Sequence, residues 1–146
     1  MRTVSLPNEI LLGEVCRMLA EGLTVTLKTK GNSMQPFITG GRDSVVLKKF
    51  GKLNKGDIVL AELKPRQFVL HRIVKINGRL IILMGDGNLH GTEQCDITNI
   101  AGQVTAIIRN GKHINCNNRA EKFKVMIWGL SQPFRRYLLA VYNKMN

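Results

Sequence analysis

The chain has 146 residues, 44% hydrophobic and 22% charged, which places it among ordinary globular proteins long enough to bury a core as one domain. Its 22 Lys and Arg against 10 Asp and Glu leave a formal charge of +12 and favour acidic partners; the cations are scattered from Arg2 to Lys144 without a dense run, which argues against nucleic acid and for a solvated basic surface. The three cysteines, Cys16, Cys95 and Cys116, are odd in number and form no close-spaced pair, which excludes a disulfide framework and predicts free thiols in a reducing compartment.

Residues 8–21 carry Ile10, Leu11, Val15, Met18 and Leu19 at helical spacing, with Asn8 as cap and Gly22 as terminator. Glu9, Glu14, Arg17 and Glu21 interrupt this apolar run, so it predicts an amphipathic helix rather than a signal peptide or a membrane span. From Leu23 the period changes to two, as Leu23, Val25 and Leu27 alternate with Thr24, Thr26 and Lys28. Further strands are predicted at 44–49, 57–62, 67–76, 79–84 and 99–109. Asn77-Gly78 predicts a type I′ hairpin between the third and fourth of these. Beyond Arg119 the helical period returns, with Phe123, Met126, Ile127 and Leu130 on one stripe, then Tyr137, Leu138, Val141 and Met145 on another after Pro133. These stripes are expected to cover the domain's own apolar face or to dock a partner; Arg135 and Arg136 keep contact with a membrane open as the second reading. The whole reads as a single domain over 1–146, with a β core at about 23–109 and a helical appendage at about 119–145.

Three segments carry candidate chemistry. Gly31-Asn32-Ser33-Met34-Gln35-Pro36 follows a strand, and the turn that Gly31 permits can expose the Ser33 hydroxyl. His71 lies on a strand, on the face shared by Val69, Ile73 and Lys75, and an imidazole is largely neutral near pH 7 without deep burial, whereas a lysine base must first be desolvated. Asp86, in Gly85-Asp86-Gly87-Asn88 at the end of the hairpin partner, has a short path to His71. Taken singly, each has an ordinary explanation: a turn serine, a core histidine, a loop aspartate. Asp57, His90 and His113 read as structural or loop residues, and no metal or other cofactor is expected.

In this order the segments resemble the type I signal peptidase and LexA-like serine peptidase superfamily. Ser33-Met34-x-Pro36 is similar to its nucleophile box, Gly56-Asp57-Ile58-Val59 to its Gly-Asp strand start, and His71-Arg72-Ile73-Val74 to the box that supplies the base. Gly85-Asp86-x-Asn88 and Ile100-Ala101-Gly102-Gln103-Val104 are similar to its later boxes, so the likeness runs from about Thr26 to Ile108. A histidine at the base position resembles the endoplasmic-reticulum and sporulation-type branch.

The resemblance implies a mainly β, mostly antiparallel fold with a short N-terminal helix and C-terminal helices. It also implies hydrolysis of an extended peptide or protein substrate beside small residues. Ser33 is then the nucleophile, His71 the general base, and the Ser33 N–H the oxyanion donor. For the acid, Asp86 and Asp96 rank close together, and Glu93 is a third candidate. Gly31 stands where most signal peptidases have a serine, as in the LexA-like branch. Neither the signal peptidases' membrane anchor nor a DNA-binding domain is seen, so the expected setting is cytoplasmic or membrane-peripheral, with the C-terminal helices docking to a membrane or transporter. Two alternatives remain: an inactive basic binding module for a partner protein or nucleic acid, and a self-cleaving domain cut at Ala20-Glu21 or Glu21-Gly22. Lys75 is the reserve base.

Overall fold

The computed structural model describes residues 2–5, 9–31, 33–88, 91–131 and 134–145. Asn8, Asn32, His90 and Pro133 lie outside the described residues, as do the side chains of Ile10, Leu11 and Met145.

The period-two segments form strands β1 (Arg2–Ser5), β2 (Val25–Lys28), β3 (Asp43–Lys48), β4 (Ile58–Lys64), β5 (Gln67–Asn77), β6 (Leu80–Met84), β7 (Glu93–Asp96), β8 (Ile100–Arg109) and β9 (Lys112–Asn115). The helical stretches form α1 (Glu9–Ala20), α2 (Arg119–Leu130) and α3 (Arg135–Met145). The strands join in one sheet of order β1-β2-β3-β8-β4-β5-β6-β7, with β9 also on β8. Apart from the parallel β1–β2 pair, the pairings are antiparallel, so the fold is mainly β with a short N-terminal helix and two C-terminal helices.

Strand β4 is buried on both faces. Ile58 and Leu60 enter one apolar cluster, Val59 and Ala61 the other, which is why its sequence reads as an unbroken apolar run. Helix α1 lies over the first cluster with Leu12, Val15, Met18 and Leu19, each side chain contributing about 2 kcal/mol by leaving water. It approaches β8 at Gly102, where a Cβ would lie 2.8 Å from a methyl of Leu19.

The predicted strand at 79–84 pairs with β5 as expected, but Asn77 itself pairs with Leu80, so the two turn residues are Gly78 and Arg79. Gly78 has φ +60° and Arg79 is not among the positive-φ residues, the pattern of a type II′ turn rather than I′. The type I′ Asn-Gly hairpin lies elsewhere, at Asn110 (φ 52°) and Gly111 (φ 77°) between β8 and β9.

Of the readings open for α2 and α3, covering the domain's own apolar face is the one the structure does not bear out. Phe123, Met126, Ile127, Leu130, Tyr137, Leu138 and Val141 are exposed, so the apolar stripes do not pack on the sheet. Contact inward comes from Trp128, Arg135, Leu139 and Tyr142, with the Tyr142 hydroxyl 2.8 Å from that of Thr39.

Candidate active site

Past β2 the chain is tied back on itself. Thr29 donates its N–H and its hydroxyl to the Asp43 carbonyl at 3.1 and 2.7 Å, and Gly40 donates to the Gly31 carbonyl at 3.0 Å. Gly31 takes φ +76°, a left-handed conformation costly for other residues. A tight turn follows, in which Phe37 and Ile38 donate to the Met34 carbonyl at 3.0 and 2.9 Å, with a cis Gln35-Pro36 bond inside it. Met34, Gln35 and Ile38 are buried by this turn, while Ser33 stays exposed.

His71 sits on β5 opposite Val59 of β4 and is buried on the side of the second cluster. Gly85, next after β6, lies beside it. A Cβ on Gly85 would be 3.2 Å from His71 Nε2, 2.3 Å from the Ser33 carbonyl oxygen and 3.2 Å from the Ser33 carbonyl carbon. The Ser33 backbone and the imidazole therefore both approach Gly85 on the side where a side chain would stand. The Gly87 N–H fixes this approach by donating to the Ser33 carbonyl at 2.7 Å. Both residues line a cleft of about 200 Å³ whose walls are Thr29–Gly31 and Phe68–Leu70 and whose floor includes Leu12 and Met34.

The other imidazole nitrogen, Nδ1, contacts Glu93 Oε1 at the start of β7. Glu93 pairs with Leu83, and Leu83 with Ile73, so these side chains share the His71 side of the sheet.

The two aspartates expected to serve the imidazole are engaged elsewhere. Asp86 accepts from Arg72 Nε at 2.7 Å and Nη2 at 2.6 Å, a buried bidentate pair, while Arg72 Nη1 donates to the Gly56 carbonyl at 2.7 Å. Asp96 caps the short 3₁₀ helix Ile97–Asn99: the Thr98 hydroxyl, the Thr98 N–H and Arg79 hold its carboxyl down at about 2. Lys75 does not share the His71 face as expected, because the register slips between Ile73 and Lys75, and its side chain is exposed.

Asp86 instead anchors the Ser33 loop. Its N–H lies 3.4 Å from Met34 Sδ, and its carbonyl accepts from Trp128 Nε1 at 2.8 Å. Trp128 in turn meets the Phe37 ring edge-on at 6.5 Å, and the Arg72 guanidinium lies 5.0 Å over the Phe37 ring. Nothing in the spacing of Trp128 along the sequence marks this bond.

A larger cavity of about 920 Å³ opens between α2 and the sheet, lined among others by Arg72, Asp86 and Trp128. It is lined by neither Ser33 nor His71, so the smaller cleft is the one that brings these two residues together. Among the described residues no group of three or more His, Cys, Asp or Glu side chains has the arrangement to hold a metal ion.

A family model described as Peptidase S24-like matches residues 3–105, from β1 into β8, and thus takes in the cleft, Gly85 and Glu93. No curated protein matches the chain significantly.

Proposed function

The chain belongs to the Peptidase S24-like family, and on that premise we propose that it is a serine endopeptidase in which Ser33 is the nucleophile, His71 the general base and Glu93 the group that orients the base. The observation that carries this reading is that Ser33 and His71 line one cleft, where the Ser33 backbone and Nε2 both approach Gly85 while Nδ1 faces a carboxylate. A proton held at Nδ1 by Glu93 leaves Nε2 free to accept the hydroxyl proton as Ser33 Oγ bonds to the substrate carbonyl carbon. The same proton then passes to the leaving amine, and water repeats the sequence to release the acid. The Ser33 N–H is the donor proposed for the oxyanion.

An extended polypeptide suits the cleft. Among the described residues, β6 pairs with β5 only from Arg72 onward, and no other strand pairs with that edge of residues 68–70 beside the cleft. A volume of about 200 Å³ favours small side chains next to the cleaved bond.

Cleavage of its own Ala20-Glu21 bond is not favoured. Ala20 is the last residue of α1, and it lies about 12 Å along the helix axis from Leu12, the α1 residue that lines the cleft.

The test is incubation with synthetic peptides carrying Ala, Gly or Ser around a central bond, read by mass spectrometry. Cleavage by the wild-type chain and none by Ser33→Ala supports the reading. Equal products from both proteins, or none from either across the peptide set, counts against it.

A further inference from the structure

Helices α2 and α3 lie beyond the family match, and each packs inward by one side only. On α2 the outward side carries Phe123 (59% exposed), Met126 (53%), Ile127 (47%) and Leu130 (73%), spaced i, i+3, i+4 and i+7. Phe134, just beyond, is 65% exposed, and Tyr137 (67%) and Val141 (56%) stand one turn apart on α3. So many large apolar side chains on two short helices exceed what a scattered surface accounts for.

The surrounding charge selects the occupant. Residues 119–145 hold six cations against a single acid, Glu121, which is held by Lys124 at 3.0 Å; Arg135 packs inward against Trp128, while Arg119, Lys122, Lys124, Arg136 and Lys144 stay exposed. Lys122 and Lys124 fall on opposite flanks of the α2 stripe by helical geometry. A second copy of this chain would set like charge on like charge across the stripe, with +12 on each molecule. An acidic interface with an apolar interior satisfies both features. None of the described helices is long and apolar enough to cross a membrane, so the helices suit the plane of the interface rather than a span.

We propose that α2 and α3 form a docking face for an anionic phospholipid surface. The apolar stripe enters the acyl boundary and the flanking lysines and arginines meet the headgroups. This binding does not depend on peptide hydrolysis, so Ser33→Ala protein is to bind as wild type does.

The experiment is co-sedimentation with vesicles of mixed phosphatidylcholine and phosphatidylglycerol, and with vesicles of phosphatidylcholine alone. Binding is expected to the mixed vesicles only and to fall with added salt. Leu130→Glu/Phe134→Glu, both exposed positions, should weaken it on the order of a hundredfold. Arg136→Glu/Lys144→Glu should weaken it by about fivefold for each cation lost, with circular dichroism unchanged in both variants. No binding to mixed vesicles overturns the proposal, as does equal binding of the wild type to both vesicle types. A stripe-dependent dimer by sedimentation equilibrium, without vesicle binding, also overturns it and assigns the face to a second copy.

Discussion

Glu93 meets Nδ1 of His71 from two strands away, because both side chains project to one side of the sheet. The other nitrogen, Nε2, and the Ser33 carbonyl both approach Gly85 where a side chain would stand. Ser33, His71 and Glu93 thus come from three separate segments, and the roles proposed for them can be tested one at a time.

Removing the chemistry should leave the fold. Ser33→Ala is expected to abolish peptide cleavage, His71→Ala to lower kcat on the order of 10⁴-fold, and Glu93→Gln to lower it about 10³- to 10⁴-fold with little change in KM. Lys75→Ala and Asp96→Asn should retain wild-type rates. An inactive Lys75→Ala beside an active His71→Ala would transfer the base to the lysine.

Asp86 should behave differently. Breaking its buried pair with Arg72 leaves a guanidinium without its counter-charge, so Asp86→Ala should lose about 3–5 kcal/mol of stability in urea denaturation. Glu93→Gln, at a more exposed carboxylate, should lose less than half of that. Equal stability of Asp86→Ala and wild type would show that the ion pair does not hold the loop.

Gly85 is proposed as the seat of the encounter. An added methyl would lie 2.3 Å from the Ser33 carbonyl oxygen, so that segment must move, and a displacement near 1 Å costs about 10²-fold in rate. Gly85→Ala is therefore expected to fall at least that far in kcat, while its far-ultraviolet circular dichroism stays native. Full activity would mean that Ser33 is not held where Gly85 meets it.

Asp43 should make stability depend on acid pH. Burial alone would push its carboxyl up, but Arg42, Arg109 and the Thr39 N–H outweigh that and hold it below its ordinary value of 3.8. A lowered carboxyl stabilises the fold above the unfolded pKa and loses that contribution as pH falls through the folded one. Asp43→Asn should thus cost about 3 kcal/mol at pH 7, and its deficit relative to wild type should shrink once pH drops below about 4. A deficit constant from pH 7 to pH 3 would contradict the ionic origin.

The cysteines are free, and two of them should be slow to alkylate. Burial, with Glu62 adding, pushes the Cys16 thiol up to about 11, and burial likewise raises Cys116 to about 11. Each then holds on the order of a hundredfold less thiolate at neutral pH than an ordinary cysteine. Iodoacetamide labelling followed by mass spectrometry should find both largely unmodified until the protein is denatured; labelling in the native state as fast as in denaturant would refute this.

Much of the fold was legible because hydrophobic period is a local signal. Val25 to Lys28, the apolar run of β4 and the helical spacing of Val15, Met18 and Leu19 each identify their element without reference to the rest of the chain. Strand β7 was not legible: Glu-Gln-Cys-Asp offers one apolar residue, Cys95, and becomes a strand only because the edge of β6 is there to pair with it. The same holds for β1, which takes its parallel place beside β2, and for β9, a four-residue strand completed only by its pairing with β8.

By itself the sequence determined that this is a β protein with a serine on a sharp turn and a histidine on a strand, since residue type and period are properties of short stretches. Only the tertiary structure decided which carboxylate faces the imidazole. Asp86 is nearer along the hairpin, yet Arg72 on the neighbouring position captures it, and Glu93 arrives from a strand whose register the sequence does not disclose. Which side of α2 meets the sheet was likewise a matter of competition, settled by the bond from Trp128 to the Asp86 carbonyl rather than by the apolar stripe. Such outcomes depend on distances across the sheet, and pairing across a sheet joins residues whose separation along the chain carries no local mark.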